Sequence, residues 1–267
     1  MTGAAPSIIL CGATGRTGNA VAHALAARSD VTLAAVVAPS VAGTPTRPLP
    51  TGIPAFAHLH EALEAVHDDA RVVVDLTHAV PALAHLAVAI DAGVPVVLGA
   101  TGIDDDELAT WGERFLAAGI GLFVVPNFSI GAVLGMRLAA QVAAHFPDAE
   151  VIEVHHEGKR DSPSGTAVHT ARLVAAARRD AGLAPGPGAA SAGAEPSRGE
   201  SIDGVPVHAL RLPGATAHQE VVFGAPGEVL TIRHDAIDRS SYAAGVVLAA
   251  RHVVELRGLE TGLETFL

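Results

Sequence analysis

Few folds accept a chain that begins with a short apolar strand, turns on closely spaced glycines and enters a helix. Ser7–Cys11 is such a strand, G-A-T-G-R-T-G follows with glycines at 12, 15 and 18, and a helical pattern runs on through Ala27. Glycines in a strand-to-helix turn let the backbone approach a pyrophosphate, which then sits at the positive end of the helix. A second β-branched run, Val31–Val37, comes at the distance a βαβ unit requires.

The alternation continues. Strand-like runs at Val72–Leu76, Pro95–Leu98 and Leu122–Val125 alternate with helical patterns at Glu61–Val66, Ala82–Ala92 and Asp104–Ala118. Such alternation predicts an α/β domain with a Rossmann-like, doubly wound parallel sheet, whose ligand crevice lies at the strand C-termini. Loops 12–18, 75–78, 99–102 and 125–129 would then share one edge. Pro39–Pro54 holds five prolines and reads as loop. The end of the second strand lacks the acid that grips ribose hydroxyls in NAD-binding folds, since no Asp or Glu lies between Asp30 and Glu61. Without that acid nothing there repels a 2′-phosphate. Arg16 and Arg47 are the nearest cations, with Ser40 and Thr44 as hydroxyl donors. The reading is NADP (NADPH), with NAD (NADH) as the alternative; the plainer reading of both arginines is solvated surface.

After the fifth strand the pattern changes. An amphipathic helix, Gly131–Phe146, leads into a second domain. Val207–Leu212, His218–Phe223 and Val229–His234 alternate as strands of an open sheet covered on one face. Leu183–Val205, rich in Pro, Gly, Ala and Ser, reads as a flexible loop, and Ala243–Leu256 as a last helix.

The chemistry concentrates in V-I-E-V-H-H-E-G-K-R-D-S-P-S-G-T-A-V, residues 151–168. A buried strand ends near His155, and a helical pattern starts after Ser164, an N-cap type preceded by Pro163. The amides of Gly165, Thr166 and Ala167 would face outward at the positive helix end, a site for an anion. One short loop thus offers imidazoles, the fixed charges of Lys159 and Arg160, and a carboxylate nest. Arg160 and Asp161 read as structural, a loop salt bridge or surface charge.

H-H-x-x-K-x-D-x-P-S-G-T, leaving a strand and entering a helix, resembles the signature of the 4-hydroxy-tetrahydrodipicolinate reductase (dihydrodipicolinate reductase) family of the diaminopimelate–lysine pathway. That family usually has Ala in place of Ser162. The likeness extends to the N-terminal glycine turn, to G-A-T-G at 99–102, to P-N-F-S at 126–129 and to R-H-D…D-R-S-S-Y near the C-terminus. It implies NAD(P)H-dependent reduction of a cyclic, imine-containing dicarboxylate, with hydride transfer to C4 and a proton supplied to the enamine end. His155 aligns with the proton donor, and Lys159 would stabilise the developing charge. His156, Ser164, Gly165 and Thr166 would bind the substrate carboxylates.

The resemblance also implies the cofactor contacts. Gly12, Gly15 and Gly18 carry the turn, with Ala13, Thr14, Arg16 and Thr17 between them, and Thr77 follows the third strand. Gly99, Ala100 and Thr101 would meet the nicotinamide half, although the family commonly has Thr where Ala100 stands. Val125, Pro126, Asn127 and Phe128 would join them, with Arg239. The last segment returns to the nucleotide domain, giving residues 1–128 with 240–267 for the cofactor. Residues 129–239 form an α+β substrate-binding and tetramerisation domain with an open mixed sheet, and the expected assembly is a homotetramer.

Composition narrows the partners. A net charge of −11 argues against nucleic acid, whose phosphates need a basic face. No apolar run is long enough to span a bilayer, so no membrane partner is expected. One cysteine, Cys11, fits a reducing cytoplasm and reads as a small buried apolar residue. No metal is implied. Two other readings stay open: a paralogue reducing another cyclic imine or unsaturated acid, and a non-catalytic nucleotide sensor that kept the fold.

Overall fold

The computed structural model describes residues 5–43, 47–184, 186, 193 and 195–267. The chain divides into two compact units, with boundaries at Phe128/Ser129 and Asp238/Arg239.

The first unit is built on β1 (Ser7–Cys11), whose five residues are all buried. A strand covered on both faces must be apolar throughout, and S-I-I-L-C meets that demand. The helix α1 (Arg16–Ala26) follows, then β2 (Thr32–Val37), a two-residue strand β3 (Ala55–Phe56) and α2 (Leu59–Ala65). Next come β4 (Arg71–Asp75), α3 (Ala79–Asp91), β5 (Val96–Leu98), α4 (Asp105–Ala117) and β6 (Gly121–Val124). All neighbours pair in parallel, as the alternation of strands and helices implies. The order is β12-β6-β5-β4-β1-β2-β3, where β12 is Gly258–Thr261. Reversal of the winding at β1 puts the glycine turn at the switch point, where such sheets bind ligands. Ile9, Cys11 and Val73 point into a core closed by Leu59 and Leu63 of α2 and Leu86 of α3. The opposite face is covered by α1 and by α7 (Tyr242–Val253).

The second unit starts with α5 (Ile130–Ala143), capped by the Ser129 hydroxyl. Then come β7 (Asp148–His155), α6 (Gly165–Asp180), β8 (Glu200–Ile202), β9 (Val205–Arg211), β10 (Ala217–Ala225) and β11 (Glu228–Ala236). The sheet order is β11-β10-β7-β9-β8, antiparallel except for the parallel β7–β9 pair. Alternate residues Val151, Val207, Val221 and Phe223 pack under Ala167, Ala171 and Val174 of α6. The intervening residues, Ile152 and Val154 of β7 among them, fall on the other face by the two-residue period of a strand.

The structure corrects the sequence reading of 183–205. A short 3₁₀ turn at Pro196–Arg198 and strand β8 lie inside that stretch, so it is not loop throughout. The Arg198 guanidinium, just ahead of β8, pairs with Glu150 on β7. The sequence reading also lacked β3 and β12, the two edge strands of the parallel sheet.

Candidate active site

In the first unit the residues named for the cofactor gather at the C-terminal edge of the parallel sheet. Gly12 adopts φ +86°, and a Cβ there would lie 2.9 Å from the Leu76 carbonyl oxygen. A Cβ on Gly18 would lie 2.2 Å from the Gly12 oxygen, so α1 packs on the turn only without one. Gly15 is the N-cap and has no capping side chain, which leaves the first amides of α1 to an incoming anion. The turn therefore fits a dinucleotide's pyrophosphate. Ala13 is buried, while Thr17 is half-buried near the start of the helix.

Thr14, in the glycine turn, is the meeting point of two side chains. Ser40 donates to its hydroxyl at 3.0 Å, and Arg47 Nη1 donates to its carbonyl at 3.0 Å. Arg16 is exposed at the first position of α1, and its guanidinium makes no hydrogen bond to the described residues. Thr44 lies outside the described residues.

Asp75, fully buried at the end of β4, organises the next loop. It accepts from the Thr77 amide at 2.8 Å, the Thr77 hydroxyl at 2.5 Å and His85 Nδ1 at 2.6 Å. A parallel bridge from His78 to Thr101 joins this loop to 99–102. His78 is the N-cap of α3, without a side-chain capping bond. Gly99 is needed for packing, since a Cβ there would sit 2.5 Å from the Phe128 ring. Ala100 is partly buried against the core, Val125 is buried, and Pro126 is exposed beside half-buried Asn127. Arg239 opens a 3₁₀ turn that packs against α1. Cys11 Sγ also lies within 4.8 Å of ligand atoms of Asp75 and His85. Burial and the Asp75 charge push the thiol well above its ordinary value.

In the second unit the signature stretch folds around one carboxylate. Glu153 follows Val151 on the helix-covered face of β7 and has 0% exposure. It accepts from His155 Nδ1 at 2.5 Å, the Ser164 amide at 3.0 Å, and Arg211 Nη1 and Nη2 at 2.9 and 2.8 Å. Burial pulls its pKa up, but the guanidinium, the imidazole and the amide outweigh burial and hold it below its ordinary value. Burial pushes His155 below its ordinary value; Glu153 opposes this, while Lys159 and Arg211 add to it.

Ser164 caps α6, its hydroxyl accepting from the Ala167 amide at 3.2 Å. The Gly165 backbone is open: an added Cβ would meet nothing within 4 Å. Thr166 is half-buried, its carbonyl taken by the Thr170 hydroxyl at 2.8 Å. Lys159 pairs with Asp161 at 2.8 Å, so the loop ion pair joins those two while Arg160 stays exposed. His156 accepts the Lys159 amide through its carbonyl, closing the turn. Sequence reasoning missed Glu153 and Arg211. A charge at the inward position of an alternating strand was the available signal for Glu153; Arg211, 58 residues on, had none.

Residues 6–128 match the family described as dihydrodipicolinate reductase, N-terminus, and residues 131–267 match dihydrodipicolinate reductase, C-terminus. The chain belongs to the dihydrodipicolinate reductase family. A 4-hydroxy-tetrahydrodipicolinate reductase from Mycobacterium sp. is 42% identical over 258 residues, 96% of each chain. The Streptomyces coelicolor protein of that name is 41% identical over 262 residues, 97% of each. A dipicolinate-bound dihydrodipicolinate reductase from Paenisporosarcina sp. has a TM-score of 0.80 at 33% identity, covering 98% of this chain and 100% of its own. An amine dehydrogenase from Mycobacterium smegmatis, 13% identical with a TM-score of 0.58, shares the fold alone. As a dihydrodipicolinate reductase family member, the chain is an NAD(P)H-dependent oxidoreductase of diaminopimelate and lysine biosynthesis. No helix among the described residues is long and apolar enough to cross a membrane.

Proposed function

We propose that this chain reduces the conjugated imine formed when 4-hydroxy-tetrahydrodipicolinate loses its C4 hydroxyl as water, giving tetrahydrodipicolinate, with the residues of 153–166 as its proton-transfer and carboxylate site. The observation that carries the reading is the buried carboxylate of Glu153, which holds both His155 and the capped start of α6. When bound, a nicotinamide cofactor supplies the hydride. His155 donates the proton that the enamine end of the reduced substrate requires. Lys159 meets the charge developing there; its ion pair with exposed Asp161 is one the substrate can displace. The amides of Gly165 and Thr166, at the positive end of α6, take a substrate carboxylate, with His156 beside them. A bound dicarboxylate adds negative charge and raises the His155 pKa toward neutrality, where an acid works best.

The cofactor is held by the glycine turn 12–18, by Thr77, 99–101 and 125–128, and by Arg239. We assign NADPH as the preferred form, because β2 ends without a carboxylate and Arg16 stands exposed at the first position of α1 as a cation for a 2′-phosphate. The test of the reaction is cofactor oxidation followed at 340 nm with substrate generated in situ by the preceding synthase. Substrate-dependent oxidation of NADPH is expected. Oxidation with neither nicotinamide would overturn the assignment.

The assembly we propose is a homotetramer, in a reducing, cytoplasmic setting suited to the buried thiol Cys11. Its support is the uncovered face of the second sheet, which carries Ile152 and Val154 beside Leu210, 40% exposed, and Val229, 70% exposed. Charged pairs such as His208–Glu150 and His218–Asp235 share this face with them, and an open sheet face that mixes apolar and paired polar groups suits a covering surface from another copy of the chain. Light scattering should report about four times the 27.0 kDa chain mass, and a stable monomer would contradict the proposal.

A further inference from the structure

The carboxylate of Glu153 is more than β7 needs. Its neighbours on the same face, Ala149 and Val151, are apolar, and an ionised group there is costly unless fully paired. Arg211 alone would suffice for pairing, since its two terminal nitrogens already meet both carboxylate oxygens. The two remaining donors come from the two working parts of the site: the His155 imidazole and the amide of the α6 cap Ser164.

We propose that Glu153 is a positioning residue of the reaction: it fixes the His155 tautomer, tunes its acidity and ties the imidazole to the carboxylate-binding end of α6. This rests on His155 being the acid of the proposed reaction. An ionised carboxylate only accepts hydrogen bonds, so His155 keeps its hydrogen on Nδ1 and exchanges the catalytic proton at Nε2. A rigid link of 2.5 Å on one side and 3.0 Å on the other sets the distance between proton donor and carboxylate nest.

The charges around His155 give the idea a sign. Glu153 lies on its own strand, Arg211 comes from β9, and Lys159 with its partner Asp161 comes from the following loop. Opposite it on β10 stands uncharged Ala217, and α6 begins with uncharged Gly165 and Thr166. Burial, Lys159 and Arg211 favour the neutral imidazole, and Glu153 opposes them. Removing the Glu153 charge therefore lowers the His155 pKa, and removing Arg211 raises it.

The experiment compares wild type, Glu153→Gln, Glu153→Asp and Arg211→Met in the full-length protein. Ring ¹⁵N resonances of histidine-labelled protein are followed against pH, with His155 identified by its loss in His155→Gln. Neutral His155 should be the Nδ1–H tautomer in wild type and Glu153→Asp, and should lose that preference in Glu153→Gln. The midpoint should fall in Glu153→Gln and rise in Arg211→Met. In kcat–pH profiles, the alkaline limb should move the same way, costing Glu153→Gln about tenfold in kcat per unit of pKa lost. Should Glu153→Gln fail to fold, Arg211→Met and Glu153→Asp still give a signed result. An unchanged tautomer, or midpoints that stay put or move together while activity tracks only folded protein, would reduce Glu153 to a structural ion pair. The resonance measurement needs no turnover, so a wrong reaction and a wrong role for Glu153 are told apart.

Discussion

His155→Gln should lower kcat by roughly 10²–10⁴-fold, the usual worth of a positioned general acid. Gln keeps a polar side chain beside Glu153 but has no proton to release near neutral pH. The dissociation constant for NADPH should hardly change, because His155 lies on β7 and the residues proposed for the cofactor lie in the other unit. The pH dependence due to the imidazole should disappear with it. Wild-type activity should fall as pH rises through the His155 pKa, since only the protonated ring can donate. That pKa is held below the ordinary value by burial, so activity in kcat/KM should fall away from the acid side of neutrality. A variant with near-normal turnover, or with the wild-type pH profile, would remove His155 from proton transfer.

Arg16→Ala should weaken NADPH use, measured as kcat/KM, by roughly ten- to a hundredfold. A charge-assisted contact to phosphate contributes about 1.5–3 kcal/mol, and each 1.4 kcal/mol is about tenfold. NADH lacks the phosphate and should lose much less. Arg47→Ala serves as the contrast. Its guanidinium is anchored on the Thr14 carbonyl, so its removal loosens the glycine turn itself. Both cofactors should therefore weaken in Arg47→Ala, whereas Arg16→Ala should be selective. Strong NADH preference in wild type, or equal losses for both cofactors in Arg16→Ala, would show that the ribose is held by other groups.

The cofactor turn and the α6 cap were legible in the chain because their causes are local. Gly12 must take φ +86° within the turn, and Gly18 must clear an oxygen six residues away. Ser164 caps an amide three residues on. The long central strands β1 and β4 announce themselves because burial on both faces demands apolar side chains in a row. Edge strands obey no such demand: β3 has only two residues, and β12, G-L-E-T, carries polar residues where the central strands are apolar. β8 hides in a Gly- and Pro-rich stretch because its ordering comes from pairing with β9.

What the sequence determined by itself, then, is the central strands and the main helices, their buried faces and the chemical types in the signature loop, all governed by neighbours within a few residues. Which distant group completes the site was decided only by tertiary structure. Arg211 reaches Glu153 because β9 pairs with β7 in a register that sets His155 against Arg211. Arg47 reaches Thr14 across 33 residues. Periodicity tells which side of a strand is buried but not which strand lies beside it. The electrostatics that make an ionised Glu153 tolerable, and that tune the His155 proton, therefore exist only once the sheet is assembled.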